Sequence, residues 1–187
     1  DCRWMWAGVE GADSLVVNPH KWLGVAFDCS TYYVRDPQHL IRVMSTNPSY
    51  LQTSADAEAT NFRDWGIPLG RRFRALKLWF LIREQGVSGL QERLRRDIEN
   101  AQWLEREIRA TPDWRVLAPV VLQTLCVRHE PAGPDRLDGD ELDRHTQAWC
   151  DRLNQSGAAY LTPALLDGRW MVRISIGSLL TERAHVQ

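Results

Sequence analysis

Asn18-Pro19-His20-Lys21-Trp22 is the stretch on which the interpretation of this sequence depends. It follows an apolar run, and the two together predict a short buried strand over residues 15–18 with Lys21 on the turn after it. A lysine amine is nucleophilic only when it is neutral, and partial desolvation lowers its pKa toward that state. Lys21 is therefore a candidate for carrying an aldehyde cofactor as a Schiff base, although a His-Lys pair is more often an ordinary strand exit.

The residues that follow predict a mixture of strands and helices. Residues 27–34 are rich in β-branched and aromatic side chains and predict a second strand. Pro37 suits the first turn of a short helix that ends near Met44. The polar residues 45–61 show little apolar periodicity and predict a mobile loop. A largely buried helix is then expected over residues 71–85, and Gly86 ends it. A second, amphipathic helix follows and runs to about residue 109.

The pattern changes after residue 112. Strands and a helix are predicted in the order strand, strand, helix, strand, strand, at residues 114–117, 120–128, about 140–156, 158–162 and 170–176. This alternation predicts that residues 113–187 form a small C-terminal α/β domain, and that residues 1–112 belong to a larger domain.

Composition and charge argue against several classes of function. The chain has 187 residues and a net charge of −1 with acids and bases interspersed, so nothing indicates a nucleic-acid or membrane-surface partner. No apolar run approaches the roughly 20 residues that cross a bilayer, and no signal peptide is expected. Four scattered cysteines without C-x-x-C spacing predict reduced thiols and a cytoplasmic location rather than a disulfide framework or a zinc site. Nine tryptophans favour large buried surfaces, including a subunit interface.

Several motifs along the chain resemble one enzyme family. They are Val9–Ser14, Asn18–Leu23, Phe27–Ser30, Asn47–Leu51, Trp65–Arg74, Val172–Ser175, Thr181-Glu182 and His185-Val186. Their order resembles that of the group II pyridoxal phosphate (PLP)-dependent decarboxylases, in particular the aromatic-L-amino-acid branch (DOPA, tyrosine and tryptophan decarboxylases). The resemblance implies PLP fold type I, an α/β fold, with the C-terminal part of the large PLP-binding domain followed by a small C-terminal domain.

The resemblance also implies roles for individual residues. Lys21 corresponds to the lysine that binds PLP, and His20 and Asn18 correspond to residues that hold the cofactor phosphate, as an imidazole and a side-chain amide can. Tyr50 corresponds to the loop tyrosine that returns a proton to the α-carbon after CO₂ leaves, once a lid has excluded water. Phe27 corresponds to a residue that lines the aromatic substrate pocket.

Simpler interpretations of the same residues stay open. Lys21 could lie on the surface without chemistry, and His20 could be a structural histidine. Asn18 could only form a turn before proline, which Asn-Pro favours. Tyr50 could be an ordinary solvent-facing phenol, and Phe27 a core residue of its strand. Three nearby arginines are expected to form structural ion pairs rather than an anion site: Arg71, Arg72 and Arg74.

Other residues of the family pattern are not found in this chain. The aspartate that pairs with the pyridine nitrogen, the histidine that stacks on the cofactor ring and the Gly/Ser/Thr phosphate residues belong to upstream segments, and Asp1 does not match that aspartate. The chain begins at Asp1 without an initiator methionine. We therefore expect an internal fragment of a longer enzyme, inactive by itself because the pyridine nitrogen lacks its partner.

The function implied for the full enzyme is PLP-dependent decarboxylation of an L-amino acid, in particular an aromatic one, by a homodimer. Tyr50 favours this reaction over the oxidative deamination of family members that lack the tyrosine. One alternative on the same fold is an aromatic aldehyde synthase or a decarboxylase of a non-aromatic amino acid such as glutamate, histidine or diaminobutyrate. An alternative of another class is a non-enzymatic dimerisation or partner-binding domain with a tryptophan-rich surface.

Overall fold

The structure, a computed structural model, describes residues 2–46 and 48–187, apart from the side chains of Ala55 and Ala57. The predictions that involve Asp1 and Asn47 lie outside the described residues. The chain divides into two compact units, Asp1–Glu84 and Gln85–Gln187. A domain boundary near residue 112 stays a prediction.

The first unit contains a two-stranded antiparallel ribbon. Strand β1, Ser14–Val17, pairs with strand β2, Thr31–Val34, in a register that sets Val17 opposite Thr31. The prediction of a strand over residues 27–34 is wrong at its start, because the backbone of residues 28 and 29 bonds to side chains instead of a neighbouring strand. The prediction of a buried β1 is also wrong for this chain. Val16 is 55% exposed, since a ribbon of two strands buries little apolar surface by itself.

Helix α1, Pro37–Met44, has the predicted bounds. Asp36 caps it, because its carboxylate accepts from the backbone N–H groups of Gln38 and His39 at 2.9 and 3.2 Å. The polar segment after α1 contains short 3₁₀ turns rather than irregular chain alone, and its mobility stays a prediction. The 3₁₀ turns of this unit are Arg3–Trp6, Val9–Gly11, Ser49–Leu51, Ser54–Ala57 and Phe62–Trp65.

Helix α2, Ala75–Ala110, is two helices joined at Gly86. Gly86 has φ 68° and ψ 168°, a conformation that a residue with a Cβ rarely adopts. The predicted interruption at Gly86 is therefore confirmed, and it lies at the division between the two units. Residues 87–110 belong to the second unit, where Ala101, Leu104 and Ile108 face its core.

The second unit is built on a four-stranded antiparallel sheet in the order β3-β4-β6-β5. Its elements are β3 Trp114–Val116, β4 Thr124–His129, a 3₁₀ turn Gly133–Asp135, α3 Gly139–Ser156, β5 Thr162–Leu166, β6 Arg169–Ser175 and α4 Arg183–Val186. The prediction of a strand at residues 158–162 is wrong. Strand β5 instead starts at Thr162, where the predicted strand was expected to end. Asp167 and Gly168, with φ 50° and 76°, form the tight turn of a β5–β6 hairpin, so β5 runs up to this turn.

The core of the second unit lies between this sheet and its helices. It consists of Ala101, Leu125, Val127, Cys150, Val172 and Ile176, all almost fully buried. Alternation along β4 directs Leu125 and Val127 inward, and Val172 of the neighbouring β6 meets Val127 in register. Along residues 2–46 and 48–187, no helix is both long enough and apolar enough to cross a membrane.

Candidate active site

The predicted site residues Asn18, His20, Lys21 and Phe27 lie on one loop, residues 18–30, which joins β1 to β2 and is called the lysine loop below. Two tight turns shape its first half. The Lys21 N–H donates to the Asn18 carbonyl and the Gly24 N–H to the Lys21 carbonyl, both at 3.0 Å. Gly24 has φ 82°, which favours glycine. The loop is fixed by its own buried residues Pro19, Val25 and Cys29.

Lys21 lies at the first of these turns, as predicted, but its side chain is exposed in this chain, and the partly desolvated site stays a prediction. Within the described part of the chain, no hydrogen bond or ion pair engages its Nζ. The sequence contains one other lysine, Lys77. The Lys77 ammonium donates to the carbonyls of Ala26 and Asp28 at 2.9 and 2.6 Å. These two hydrogen bonds occupy the Lys77 amine, so Lys21 is the lysine available for bonding to an aldehyde.

The backbone of Cys29 fixes the ring of His20. His20 Nδ1 lies 2.6 Å from the Cys29 carbonyl and 3.1 Å from the Cys29 N–H, and one nitrogen cannot serve both groups. We assign the proton to Nδ1, because the contact to the carbonyl is the shorter. Nε2 then remains for a ligand, and it donates to an anion when the imidazole is protonated.

The side-chain amide of Asn18 has its oxygen engaged within the loop. Ser30 Oγ donates to Asn18 Oδ1 at 2.6 Å, which leaves the Nδ2 group to donate elsewhere. The loop thus offers a primary amine at Lys21, an imidazole at His20 and an amide donor at Asn18. An aldehyde needs an amine and a phosphate needs N–H donors, so these residues fit a phosphorylated aldehyde cofactor.

Phe27 is 86% exposed in this chain. The alternative that it is a core residue is therefore wrong here, and its role in substrate binding stays a prediction. Its ring meets that of His20 edge to face, with the centroids 5.1 Å apart. Phe27 and His20 therefore present an aromatic surface, His20 directly before Lys21 and Phe27 six residues after it.

Tyr50 lies on a separate segment, the 3₁₀ turn Ser49–Leu51. Its side chain is 79% exposed, and its hydroxyl makes no hydrogen bond to any residue that the structure describes. Among the described residues, no hydrogen bond, ion pair or ring contact joins it to the lysine loop. The role of Tyr50 as a proton donor stays a prediction.

The start of helix α2 holds the second half of the lysine loop. Arg74 Nε lies 3.0 Å from Asp28 Oδ2, which confirms the expected structural ion pairing for this arginine. The hydrogen bond from Arg74 holds the pKa of the Asp28 carboxyl below its usual value, and the same bond raises the pKa of Arg74. The sequence analysis did not identify Lys77 as an anchor, since its carbonyl partners lie about 50 residues away in sequence.

A known protein family matches the part of the chain that contains these site residues. The pyridoxal-dependent decarboxylase conserved domain matches residues 1–130. The chain belongs to this family. The match includes the whole lysine loop, and it confirms the resemblance noted in the sequence and the cofactor, PLP, that the resemblance implies.

Individual relatives show which members of this family the chain is similar to. The chain is 37% identical over 182 residues to tryptophan decarboxylase TDC1 of Camptotheca acuminata, covering 96% of this chain and 36% of the relative. It is 36% identical over 185 residues to phenylacetaldehyde synthase of a Rosa hybrid cultivar, with the same coverage. The chain thus spans about a third of the length of the curated relatives that it matches.

A solved structure supports the fold. The crystal structure of Oryza sativa TDC with PLP and tryptamine matches 98% of this chain and 38% of that chain, with a TM-score of 0.92 and 37% identity. The predicted fold class, the α/β architecture of PLP fold type I, is confirmed by this likeness.

Proposed function

We propose that this chain is part of a PLP-dependent decarboxylase that converts an aromatic L-amino acid into the corresponding amine and CO₂. The observation that carries the proposal is the lysine loop, where the Lys21 amine, without a partner among the described residues, the Nε2 of His20 and the amide of Asn18 lie within four residues. Relatives named as a tryptophan decarboxylase and as a phenylacetaldehyde synthase support an aromatic substrate.

The lysine loop supplies the groups that hold the cofactor. Lys21 binds the cofactor aldehyde through Nζ, while Lys77 remains occupied by two backbone carbonyls. Asn18 Nδ2 donates to a phosphate oxygen, and so does Nε2 of the His20 ring in its protonated form, with the ring oriented by Cys29. When bound, PLP withdraws electrons from the α-carbon of the substrate, which makes loss of the carboxylate possible.

Two further residues act on the substrate. The exposed ring of Phe27 packs against an aromatic substrate side chain, because aromatic pairs favour edge-to-face or offset contact. The Tyr50 hydroxyl carries a proton and delivers it to the substrate α-carbon after CO₂ has left. Its exposed position on the Ser49–Leu51 turn suits a group that reaches the site only when a loop closes over it.

A second function on the same loop is supported by the similarity to an aldehyde synthase. In that reaction O₂ oxidises the substrate, and the product is an aldehyde instead of an amine. Tyr50 favours the decarboxylase, because prompt proton delivery to the α-carbon competes with O₂. A decarboxylase of a non-aromatic acid and a non-enzymatic partner-binding domain are the remaining alternatives.

We also propose that the enzyme is a cytoplasmic homodimer. Reduced thiols support the location, since Cys2, Cys29, Cys126 and Cys150 are all free. Large apolar side chains exposed in the first unit support a subunit interface. They include Trp4, Trp6, Trp79 and Phe80.

The test uses the full-length enzyme expected to contain this chain, supplied with PLP. L-tryptophan, L-tyrosine and L-DOPA are compared with L-glutamate, L-histidine and L-2,4-diaminobutyrate, while CO₂, amine, aldehyde and hydrogen peroxide are measured. We expect equimolar CO₂ and amine from an aromatic substrate. Aldehyde with peroxide would indicate the synthase, turnover of the other acids only would indicate the non-aromatic decarboxylase, and a protein that takes up no PLP would indicate the binding domain.

A further inference from the structure

We propose that Asp56 and Arg63 are positioning residues that hold the Tyr50 turn, and that they thereby decide how often the substrate α-carbon receives a proton before O₂ reacts with it. This inference rests on the proposed function and extends it to residues that do not touch the substrate. Together with Thr53 and Asn61, Asp56 and Arg63 form a hydrogen-bonded group, called the loop clasp below.

Arg63 connects the two halves of the loop clasp. Its Nη1 donates to the carbonyl of Leu51, the residue after Tyr50, at 2.6 Å. Its Nη2 donates to Asp56 Oδ2 at 2.9 Å. The side chains of Arg63 and Asp56 are only 16% and 27% exposed, so this ion pair is better shielded from water than an ordinary surface pair.

Asp56 is the centre of the loop clasp. Besides Arg63, its carboxylate accepts from the Thr53 N–H at 3.2 Å, the Thr53 hydroxyl at 2.7 Å and the Asn61 amide at 3.2 Å. The hydrogen bonds from Thr53, and then the charge of Arg63, hold the pKa of Asp56 below its usual value. The carboxylate is therefore charged throughout the neutral range, and its hydrogen bonds hold residues 53, 61 and 63 to residue 56.

The loop clasp controls the backbone beside Tyr50 and leaves the phenol unengaged. Arg63 holds the carbonyl of Leu51, whereas the Tyr50 hydroxyl has no partner among the described residues. A second link closes the segment from the other side, because Ser45 Oγ, directly after α1, donates to Asp64 Oδ1 at 2.8 Å. A fixed backbone with an unengaged side chain suits a group that must reach a substrate from a defined starting position.

The two outcomes at the α-carbon differ in their products and their atoms. With proton delivery, the amino acid yields the amine and CO₂. Without it, the amino acid, O₂ and H₂O yield the aldehyde, CO₂, NH₃ and H₂O₂, so that two electrons pass from the substrate to O₂. Both outcomes release one CO₂, and the ratio of aldehyde to amine therefore reports proton delivery separately from the loss of the carboxylate.

The simpler interpretation is that the loop clasp only stabilises a surface segment. It predicts that breaking the clasp changes stability or overall turnover but leaves the product ratio unchanged. Arg71 offers a matched control, since it is an exposed arginine of the same unit whose Nη1 reaches the Phe62 carbonyl at 3.4 Å without an ion pair in the described chain.

The experiment compares Arg63→Gln, Asp56→Asn and the control Arg71→Gln in the full-length enzyme with its aromatic substrate under air. We expect CO₂ release to continue in all three. The aldehyde-to-amine ratio should rise by about tenfold in Arg63→Gln, because a misplacement of about 1 Å can slow a positioned step by up to about 10²-fold. Asp56→Asn should give a smaller rise, since an amide oxygen still accepts from Thr53, and Arg71→Gln should match the wild type.

A second readout needs neither cofactor nor substrate. Hydrogen exchange of the amides of residues 51–56 in the apo-enzyme should accelerate in Arg63→Gln and Asp56→Asn, because loss of the Asp56–Arg63 ion pair leaves the acceptor of the Thr53 N–H less firmly held. Asp56→Asn also carries the test if Arg63→Gln fails to fold.

Three results would overturn the inference. Faster exchange with an unchanged product ratio would make the loop clasp purely structural, and an equal rise in Arg71→Gln would make the effect non-specific. A wild-type enzyme that releases no CO₂ from any amino acid would refute the proposed function itself, and with it this extension. The wild-type measurement thus separates failure of the proposed function from failure of the loop clasp alone.

Discussion

The two units of the chain differ in where their apolar side chains lie. In the second unit, Leu125, Val127 and Val172 are fully buried in one continuous core. In the first unit, Val16, Tyr33 and other apolar side chains of the ribbon are exposed. The lysine loop is attached to this ribbon. The candidate chemistry therefore lies in the unit that buries less of its own apolar surface, and the second unit has the more complete core.

The comparison predicts that single substitutions separate activity from stability. A change at an exposed group of the lysine loop should remove function with little effect on folding. A change in the second unit's core should do the reverse.

The largest effect is expected for Lys21→Arg. Arginine keeps the positive charge but cannot bond to an aldehyde, so the full-length enzyme should lose decarboxylation to the detection limit. Lys77→Arg is the matched control, because a guanidinium can still donate to the carbonyls of Ala26 and Asp28. Amine production and thermal unfolding of the apo-enzyme are measured for both. Lys21→Arg that unfolds several degrees lower without PLP would show a structural role for this lysine instead.

The next largest effect is the presence or absence of a cooperative unfolding transition in segments cut at two different boundaries. Residues 85–187 are expected to unfold cooperatively in urea, since they contain the helix that supplies Ala101, Leu104 and Ile108 to the core. Residues 113–187, the small domain expected from the sequence, lack that helix and should show no cooperative transition. Circular dichroism during the titration decides between them, and a cooperative transition of 113–187 would favour the boundary near residue 112.

Within residues 85–187, Leu125→Ala should reduce the free energy of unfolding by about 2–5 kcal/mol, because it leaves a cavity in a closed core. Leu165→Ala makes the same chemical change at a side chain that is 58% exposed, and it should cost less than about 1 kcal/mol. Urea unfolding gives both values. Equal losses would contradict the assignment of the core.

The smallest effect is a pH dependence in the second unit. His145 Nε2 lies 2.9 Å from His129 Nδ1, and burial, followed by the nearby His129 and Arg152, lowers the pKa of His145 below its usual value of 6.5. The folded state thus binds this proton less readily than the unfolded state. Stability from this group should be complete above about pH 6.5 and decline as the pH falls through the lowered pKa.

His145→Gln should flatten this part of the pH profile of residues 85–187. Arg152→Gln should alter it little, because Arg152 is the smallest of the three causes. Urea midpoints between pH 5 and 8 supply the test. An equally steep profile in His145→Gln would place the titrating group elsewhere.

Much of the fold could be predicted from local chemistry. Helix α1 was predicted with the right bounds, since Asp36 and Pro37 form a start signal that no distant residue overrides. The first strand of the β5–β6 hairpin was misplaced, although Asp167-Gly168 is a strong local signal for a two-residue turn. The start of β2 could not be predicted, because it depends on bonds from His20 to Cys29 and from Lys77 to Asp28.

The candidate site divides in the same way. Asn18, His20, Lys21 and Phe27 were singled out because they are close in sequence, and the structure holds them on one loop. The anchors Arg74 and Lys77 reach that loop from about 46 to 51 residues away, and spacing alone does not reveal such contacts. The loop clasp was overlooked even though Thr53-x-x-Asp56 has the spacing of a capping box, which is a recognisable local signal.

The most direct test of the central claim is to locate the cofactor on the chain. The full-length enzyme is incubated with PLP, reduced with borohydride, digested and analysed by mass spectrometry. Lys21 and Lys77 provide a comparison within the same molecule, since in the part of the chain that the structure describes backbone carbonyls hold the Lys77 amine and not the Lys21 amine. The account predicts a pyridoxyl group on Lys21 and none on Lys77. A folded enzyme with Lys21 unmodified would contradict it.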